Sequence, residues 1–400
     1  MPQVLHLDAA RLGLMSPSAQ RHQQAFARLA GDPRSALYLR EFLSGGWGSW
    51  PDELRHDYDE LEGWRGLDTL KSGLQKLFDA SSKTRVEVAS RSGMLFSLAA
   101  RRLTRRCKRL LVADTLWPPY RDRLRVACRR RGSEAVVCPL RETLRRVGCS
   151  HDAIVDLFAS EVRTRRCEGL VLPLVDHRGV LLPVKDITRH LRSEGRPVSV
   201  LLDASQAVGH VPLVLRGGWC DALVAGTHKW LGGGNPLGFS ITEPSLAEQL
   251  GSEPPITDPL WRFAEELAGK TSPRWGETAG VLALLTAAGA LADSGAGVIK
   301  RQLPSRLAAK RDVARLARRE GWSCSAASEG SRTGVLVASP PVNATRQRIE
   351  ACLRDHGVVA TVTNGKAVRF SFPASGLASD RIGRVERILR SLGKQAASAG

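Results

Sequence analysis

The chain has 400 residues, 42% of them hydrophobic, enough for a large core shared by two lobes, one of α/β size and one smaller. No apolar stretch approaches the roughly eighteen residues that a membrane span needs, and Met1-Pro2-Gln3-Val4 does not open a charged-then-apolar signal, so a cytoplasmic protein without membrane contact is expected. The net charge of +19 admits an anionic substrate, an acidic carrier protein or a nucleic acid, whereas eight scattered cysteines without a Cys-x-x-Cys pair and nine unclustered histidines argue against a disulfide framework and a metal centre.

To about Leu77 the pattern is irregular, with the glycine- and tryptophan-rich stretch 43–51 reading as a loop between two charged helical patterns. From Val86 strands and helices alternate. Strands are expected at 86–89, 110–113, 134–138, 169–175, 198–203, 222–225 and 237–242, with helices at 94–105, 120–131 and 184–192. Such alternation specifies a largely parallel sheet with helices on both faces, an α/β fold. After Gly276 an alanine- and leucine-rich helix to Leu291, a basic helix and a compact αβ unit ending in Val368-Arg369-Phe370-Ser371 complete the chain.

The basic clusters Arg101-Arg102, Arg105-Arg106, Lys108-Arg109 and Arg129-Arg130-Arg131 fall on the polar faces of expected helices and lack aromatic interleaving. That pattern disfavours nucleic acid and leaves an anionic substrate or an acidic carrier protein as the partner of the charge.

The chemistry concentrates in two places. The apolar run Leu201-Leu202 ends on Asp203, and the run 222–225 leads into Gly226-Thr227-His228-Lys229-Trp230, followed by Gly232-Gly233-Gly234. Open α/β sheets place chemistry at the carboxyl ends of their strands. An acid and a lysine there are what pyridoxal phosphate (PLP) requires: the lysine holds the aldehyde as a Schiff base and the carboxylate keeps the ring nitrogen protonated.

With Asp203-x-x-Gln206-x-x-Gly209 and His228-Lys229-Trp230-Leu231 in this order, the chain resembles the class V aminotransferases among the fold-type I PLP enzymes, a family that includes cysteine desulfurases, kynureninases, isopenicillin N epimerase-like proteins and C-S lyases. The resemblance starts near Leu7, extends into the C-terminal domain and is densest from Glu168 to Gly238. It implies a large PLP-binding domain (81–290) with a mostly parallel sheet, a small C-terminal α/β domain (291–400), an N-terminal segment (1–80) packed on the active site, and a homodimer.

Residue by residue, the resemblance implies that Lys229 carries the Schiff base, Asp203 pairs with the ring nitrogen and Gln206 meets the phenolic oxygen. Ser92, Gly93, Thr227 and His228 would hold the phosphate, Trp117 would stack on the ring, and Thr278 would reach a partner copy's cofactor. Arg369 matches the arginine that grips a substrate α-carboxylate, and Asp176 and His177 lie where substrate is selected. Departures are Arg91 at a position usually small, Phe372-Pro373-Ala374 where many relatives carry a histidine and a Tyr-Asn pair, and Asp176 where desulfurases carry an asparagine.

No cysteine lies between His356 and Arg369, so a typical cysteine desulfurase is not expected. The expected activity is of aminotransferase type, at the α-carbon of an amino acid. The alternatives are a β-eliminating C-S lyase or an epimerase. A non-catalytic relative that binds a carrier or nucleic acid is opposed by the intact Asp203, Gln206 and Lys229.

Overall fold

The computed structural model describes residues 4–248, 257–269, 279–341, 344–363 and 365–393. After a short strand β1 (Leu5–His6), seven strands build the central sheet: β2 (Arg85–Ala89), β3 (Arg109–Ala113), β4 (Glu134–Cys138), β5 (Gly169–Pro173), β6 (Ser199–Asp203), β7 (Ala222–Gly226) and β8 (Gly238–Thr242). Their spatial order is β2-β8-β7-β6-β5-β3-β4, and only β8 runs against the rest. Every residue of β5, β7 and β8 is buried, as expected for strands covered by helices on both faces. The carboxyl ends of β2, β3, β5, β6 and β7 therefore meet at one edge.

The helices Ser92–Arg106, Pro118–Arg131 and Val184–Ser193 form where alternation predicts them. Two further helices, Leu140–Val147 and His151–Arg165, connect β4 to β5. The strand expected to reach Val175 stops at Pro173, because Val175 turns back to bridge Leu181.

The N-terminal stretch departs from its irregular reading. It folds into the helices Pro17–Leu29, Pro33–Gly45, Asp52–Asp57 and Leu67–Leu77. Trp50 stacks on Phe42 with ring centroids 4.0 Å apart, and the Trp64 indole donates to the Phe42 carbonyl at 2.7 Å. The glycines that suggested a loop serve a chain crossing: at Gly46 and Gly66, both at φ 86°, a side chain would collide with the opposing backbone. These helices share one hydrophobic core with the central sheet.

A second core forms around the sheet of β9 (Ser323–Cys324), β10 (Val335–Ser339), β12 (Thr361–Val362) and β13 (Val368–Ser371), in the order β12-β13-β10-β9. Between β10 and β12 in sequence, β11 (Val358–Val359) pairs in parallel with β1. Leu5 and Leu7 thus belong to the core built by Val313, Phe370 and Phe372.

Arg102, read from sequence as part of a solvated basic face, lies inside. Its two terminal nitrogens donate to both oxygens of the buried Glu87, at 2.6 and 2.9 Å. A buried guanidinium persists only when its charge and donors are matched, which a bidentate carboxylate does. Arg102→Leu is expected to lower the free energy of unfolding by roughly 3–5 kcal/mol, because Glu87 keeps its charge and loses its main partner. Denaturant titration measures the loss, and Glu87→Leu in the same chain should recover much of it.

Candidate functional site

Asp203 ends β6, opposite Val224 of the adjacent parallel strand β7, and Lys229 follows just beyond the end of β7 at Gly226. The Asp203 carboxylate is buried and accepts a hydrogen bond from the Ser205 backbone at 2.9 Å. Burial pushes its pKa above the ordinary carboxylate range, opposed by Ser205 and by the charge of Lys229. Burial likewise pulls the Lys229 amine below the ordinary lysine value; Asp203 opposes the shift and Arg369 adds to it. The site thus gathers an acid from β6, an amine beyond β7 and a guanidinium from the second sheet. A lysine so lowered is a better nucleophile near neutrality.

Thr227 and His228 precede the lysine, and both show unmet polar capacity. The Thr227 hydroxyl and His228 Nδ1 are buried without a hydrogen-bond partner. The His228 imidazole is pulled down to about 4, by burial first and then by the charges of Lys229 and Arg91, so it is neutral near pH 7. Across the edge lies the start of the helix Ser92–Arg106, into which β8 packs so tightly that a side chain at Gly238 would strike the Ser92 nitrogen. The Ser92 hydroxyl accepts from Tyr120 at 2.8 Å, and Gly93 lies against the Arg123 guanidinium. A helix start, an orphaned hydroxyl, an orphaned imidazole and flanking arginines make a donor set that fits a phosphate. With Lys229 and Asp203 beside it, the set fits PLP.

The other expected residues divide. Trp117 stands at the start of the helix Pro118–Arg131, 51% exposed and edge-on to Tyr120 at 5.1 Å between centroids. Gln206 donates to the Ala10 carbonyl at 2.6 Å and accepts from the Trp230 indole at 2.9 Å, so both ends of its amide serve the fold while one N–H stays uncommitted. The next turn is anchored in the same way: His210 stacks on Trp230, contacts the Gln206 carbonyl through Nδ1 and accepts at Nε2 from the Gly334 backbone. Asp176, expected beside substrate, spends its carboxylate on its own turn. Its Oδ1 closes its own turn by accepting from the Arg178 and Val180 backbones at 2.9 Å each, and its other oxygen holds Arg178. His177 is exposed, and its carbonyl accepts from Arg369 at 3.3 Å. Thr278, with the rest of 274–278, lies outside the described residues.

A strap formed by residues 8–16 crosses the lysine loop. Gly13 donates to the His228 carbonyl at 2.9 Å, and a side chain at Gly13 would overlap the Lys229 carbonyl. Ser16 donates to the Gly232 carbonyl, also at 2.9 Å. At the other end of the strap Asp8 meets Arg369 and Thr361. Sequence reasoning missed Asp8 and Tyr120.

Residues 170–257, which contain Asp203, Gln206 and Lys229, match the family model described as Aminotransferase class-V. No curated protein matches the chain. Solved structures match over almost its whole length. A C-DES mutant with glycine covalently linked to the PLP cofactor is 14% identical, with 98% of this chain and 97% of that one covered and a TM-score of 0.71. The cysteine desulfurase CsdA from Escherichia coli is 17% identical, with coverages of 97% and 95% and a TM-score of 0.72. An aspartate aminotransferase of subgroup IV from Thermus thermophilus is 16% identical, with coverages of 98% and 99% and a TM-score of 0.65. At these identities the likeness is one of fold, that of the fold-type I PLP-dependent enzymes.

Proposed function

From a chain that carries the class V aminotransferase segment on a fold-type I scaffold, we infer a PLP-dependent enzyme of aminotransferase type that works at the α-carbon of an amino acid. The observation that carries this reading is the buried Asp203 at the end of β6 with the half-buried Lys229 just beyond the adjacent β7, next to the unpartnered polar atoms of Thr227 and His228. When bound, PLP supplies an electron sink for the charge that develops at the substrate α-carbon. Lys229 would anchor the cofactor and, once released, carry the α-proton on its amine. Asp203 would hold a proton at the ring nitrogen, and Trp117 would cover the ring face. Thr227, His228 and the start of the helix Ser92–Arg106 would hold the phosphate, and the spare N–H of Gln206 would face the phenolic oxygen.

Elimination and epimerisation begin from the same chemistry, so a C-S lyase or epimerase is the second reading. Desulfurisation is disfavoured because Cys352, the cysteine nearest in sequence before Arg369, is buried on the helix Arg346–Asp355, where burial pushes its thiol pKa up. Incubating the PLP-loaded protein with a panel of amino acids and identifying a keto acid, pyruvate with ammonia, or an epimer separates the reactions. A colourless protein that binds no PLP would end the reading. The working unit in this reading is a homodimer.

Arg369 would grip the α-carboxylate, since its fork binds a carboxylate through two charged hydrogen bonds. Arg369→Ala is expected to raise the Michaelis constant for a free amino acid roughly a hundredfold, and Arg369→Lys to recover part of the loss. PLP content should be unchanged in both. Normal kinetics in Arg369→Ala would point instead to a substrate whose carboxylate is masked, as on an acidic carrier protein.

A further inference from the structure

We propose that Asp8 is the positioning residue for Arg369, acting through Thr361, so that the strap over the lysine loop also sets how the site recognises an α-carboxylate. The proposal rests on Arg369 being the carboxylate grip. Thr361 stands opposite Arg369 in the pairing of β12 with β13. Its hydroxyl donates to Asp8 Oδ1. A hydroxyl has one proton, so Thr361 turns its lone pairs outward, and Arg369 Nη2 donates to them at 3.1 Å. The same nitrogen lies 3.7 Å from Asp8 Oδ1. Asp8 itself is 1% exposed and fixed by the bridge of its backbone to Ser371, and the largely exposed Arg11 forms an ion pair with its second oxygen at 2.9 Å.

The guanidinium is also held from the far side, where Nη1 donates to the His177 carbonyl at 3.3 Å. Its Nε is buried and has no partner. A group pinned at Nη2 and Nη1 with Nε unmet is oriented before substrate arrives, which lowers the entropy lost on binding. The three charges of the cluster also balance for one incoming anion. Arg369 and Arg11 bring two positive charges and Asp8 one negative, which leaves one positive charge for a single carboxylate. Without Asp8, Thr361 would be free to rotate its proton towards Arg369 and stop accepting from it.

The test uses the PLP-loaded protein and reads the change in its visible absorption on titration with L-alanine or with ethylamine, which lacks the carboxylate, so no turnover is needed. Asp8→Asn and Thr361→Val should each raise the half-saturating concentration of L-alanine by about tenfold, while that of ethylamine stays within about twofold. Thr361→Ser, which restores the hydroxyl, should match the unsubstituted chain. Thr361→Val carries the test if Asp8→Asn fails to fold, and PLP content with the absorption before titration reports folding. A normal L-alanine titration in the Thr361→Val and Asp8→Asn proteins, beside a weakened one in Arg369→Ala, overturns the role of Asp8 alone. Tighter L-alanine binding in Asp8→Asn also overturns it, since Asp8 would then be a competing anion. A normal L-alanine titration in Arg369→Ala overturns the assignment of Arg369 first.

Discussion

Lys229→Ala is expected to give a folded protein that no longer holds PLP through a covalent bond and whose turnover falls by roughly 10⁴-fold or more, because the group that anchors the cofactor and moves the α-proton is gone. Borohydride reduction followed by mass spectrometry reads the first effect, product formation the second. A yellow, active Lys229→Ala protein would falsify the assignment. The variant also carries a stability signature. The Lys229 pKa is lowered in the folded state by burial, so below the ordinary lysine value of 10.5 the unfolded chain binds this proton more readily than the folded one. Burying the amine is therefore a cost at neutral pH, and it fades as pH rises through the window between the lowered value and 10.5. Without cofactor, Lys229→Ala should melt at or above the temperature of the unsubstituted chain near pH 7, and the gap should narrow towards pH 10.

The second large effect is expected for Asp203→Asn. The amide keeps the shape of the carboxylate and can still accept from the Ser205 backbone, so the turn after β6 survives. What it loses is the charge that would hold a proton at the ring nitrogen. Turnover should fall by roughly 10³-fold or more, because a charge developing in a buried site would lose its preorganised partner. Part of the PLP should remain bound. A purely structural acid at this position would give the opposite pattern, with a lower melting temperature and near-normal rates in whatever protein stayed folded.

The sheet and its two central residues were legible because they rest on short-range signals. Buried parallel strands need apolar side chains on both faces, so β5, β6 and β7 stand out as continuous apolar runs, and Asp203 and Lys229 fall where those runs stop. Thr227 and His228 were within reach because they adjoin the lysine. The rest depends on how the chain packs once folded. Trp50 reads as a loop residue until Phe42 is seen to stack on it. Arg102 reads as a surface charge until Glu87 is found across the helix-sheet interface. Asp176 was placed near substrate by the resemblance, and the sequence did not show that the backbone of its own turn takes up its carboxylate. Asp8 gains its role only from Thr361, 353 residues away.

That separation has a consequence for how the molecule comes into being. A chain made from its N-terminus at about 5–20 residues per second releases Leu5 roughly twenty to seventy seconds before its strand partner Val358. During that interval the central sheet, which closes with β8 at Thr242, can assemble and bring Asp203 and Lys229 together. The strap cannot yet dock at its far end. Cofactor capture and substrate recognition are therefore expected to mature in sequence, with a half-built species that takes up PLP before it can read a carboxylate. Closing so long a loop is also slow relative to local helix and hairpin formation. Refolding from denaturant should accordingly regain cofactor absorption in an earlier phase than its response to amino acids.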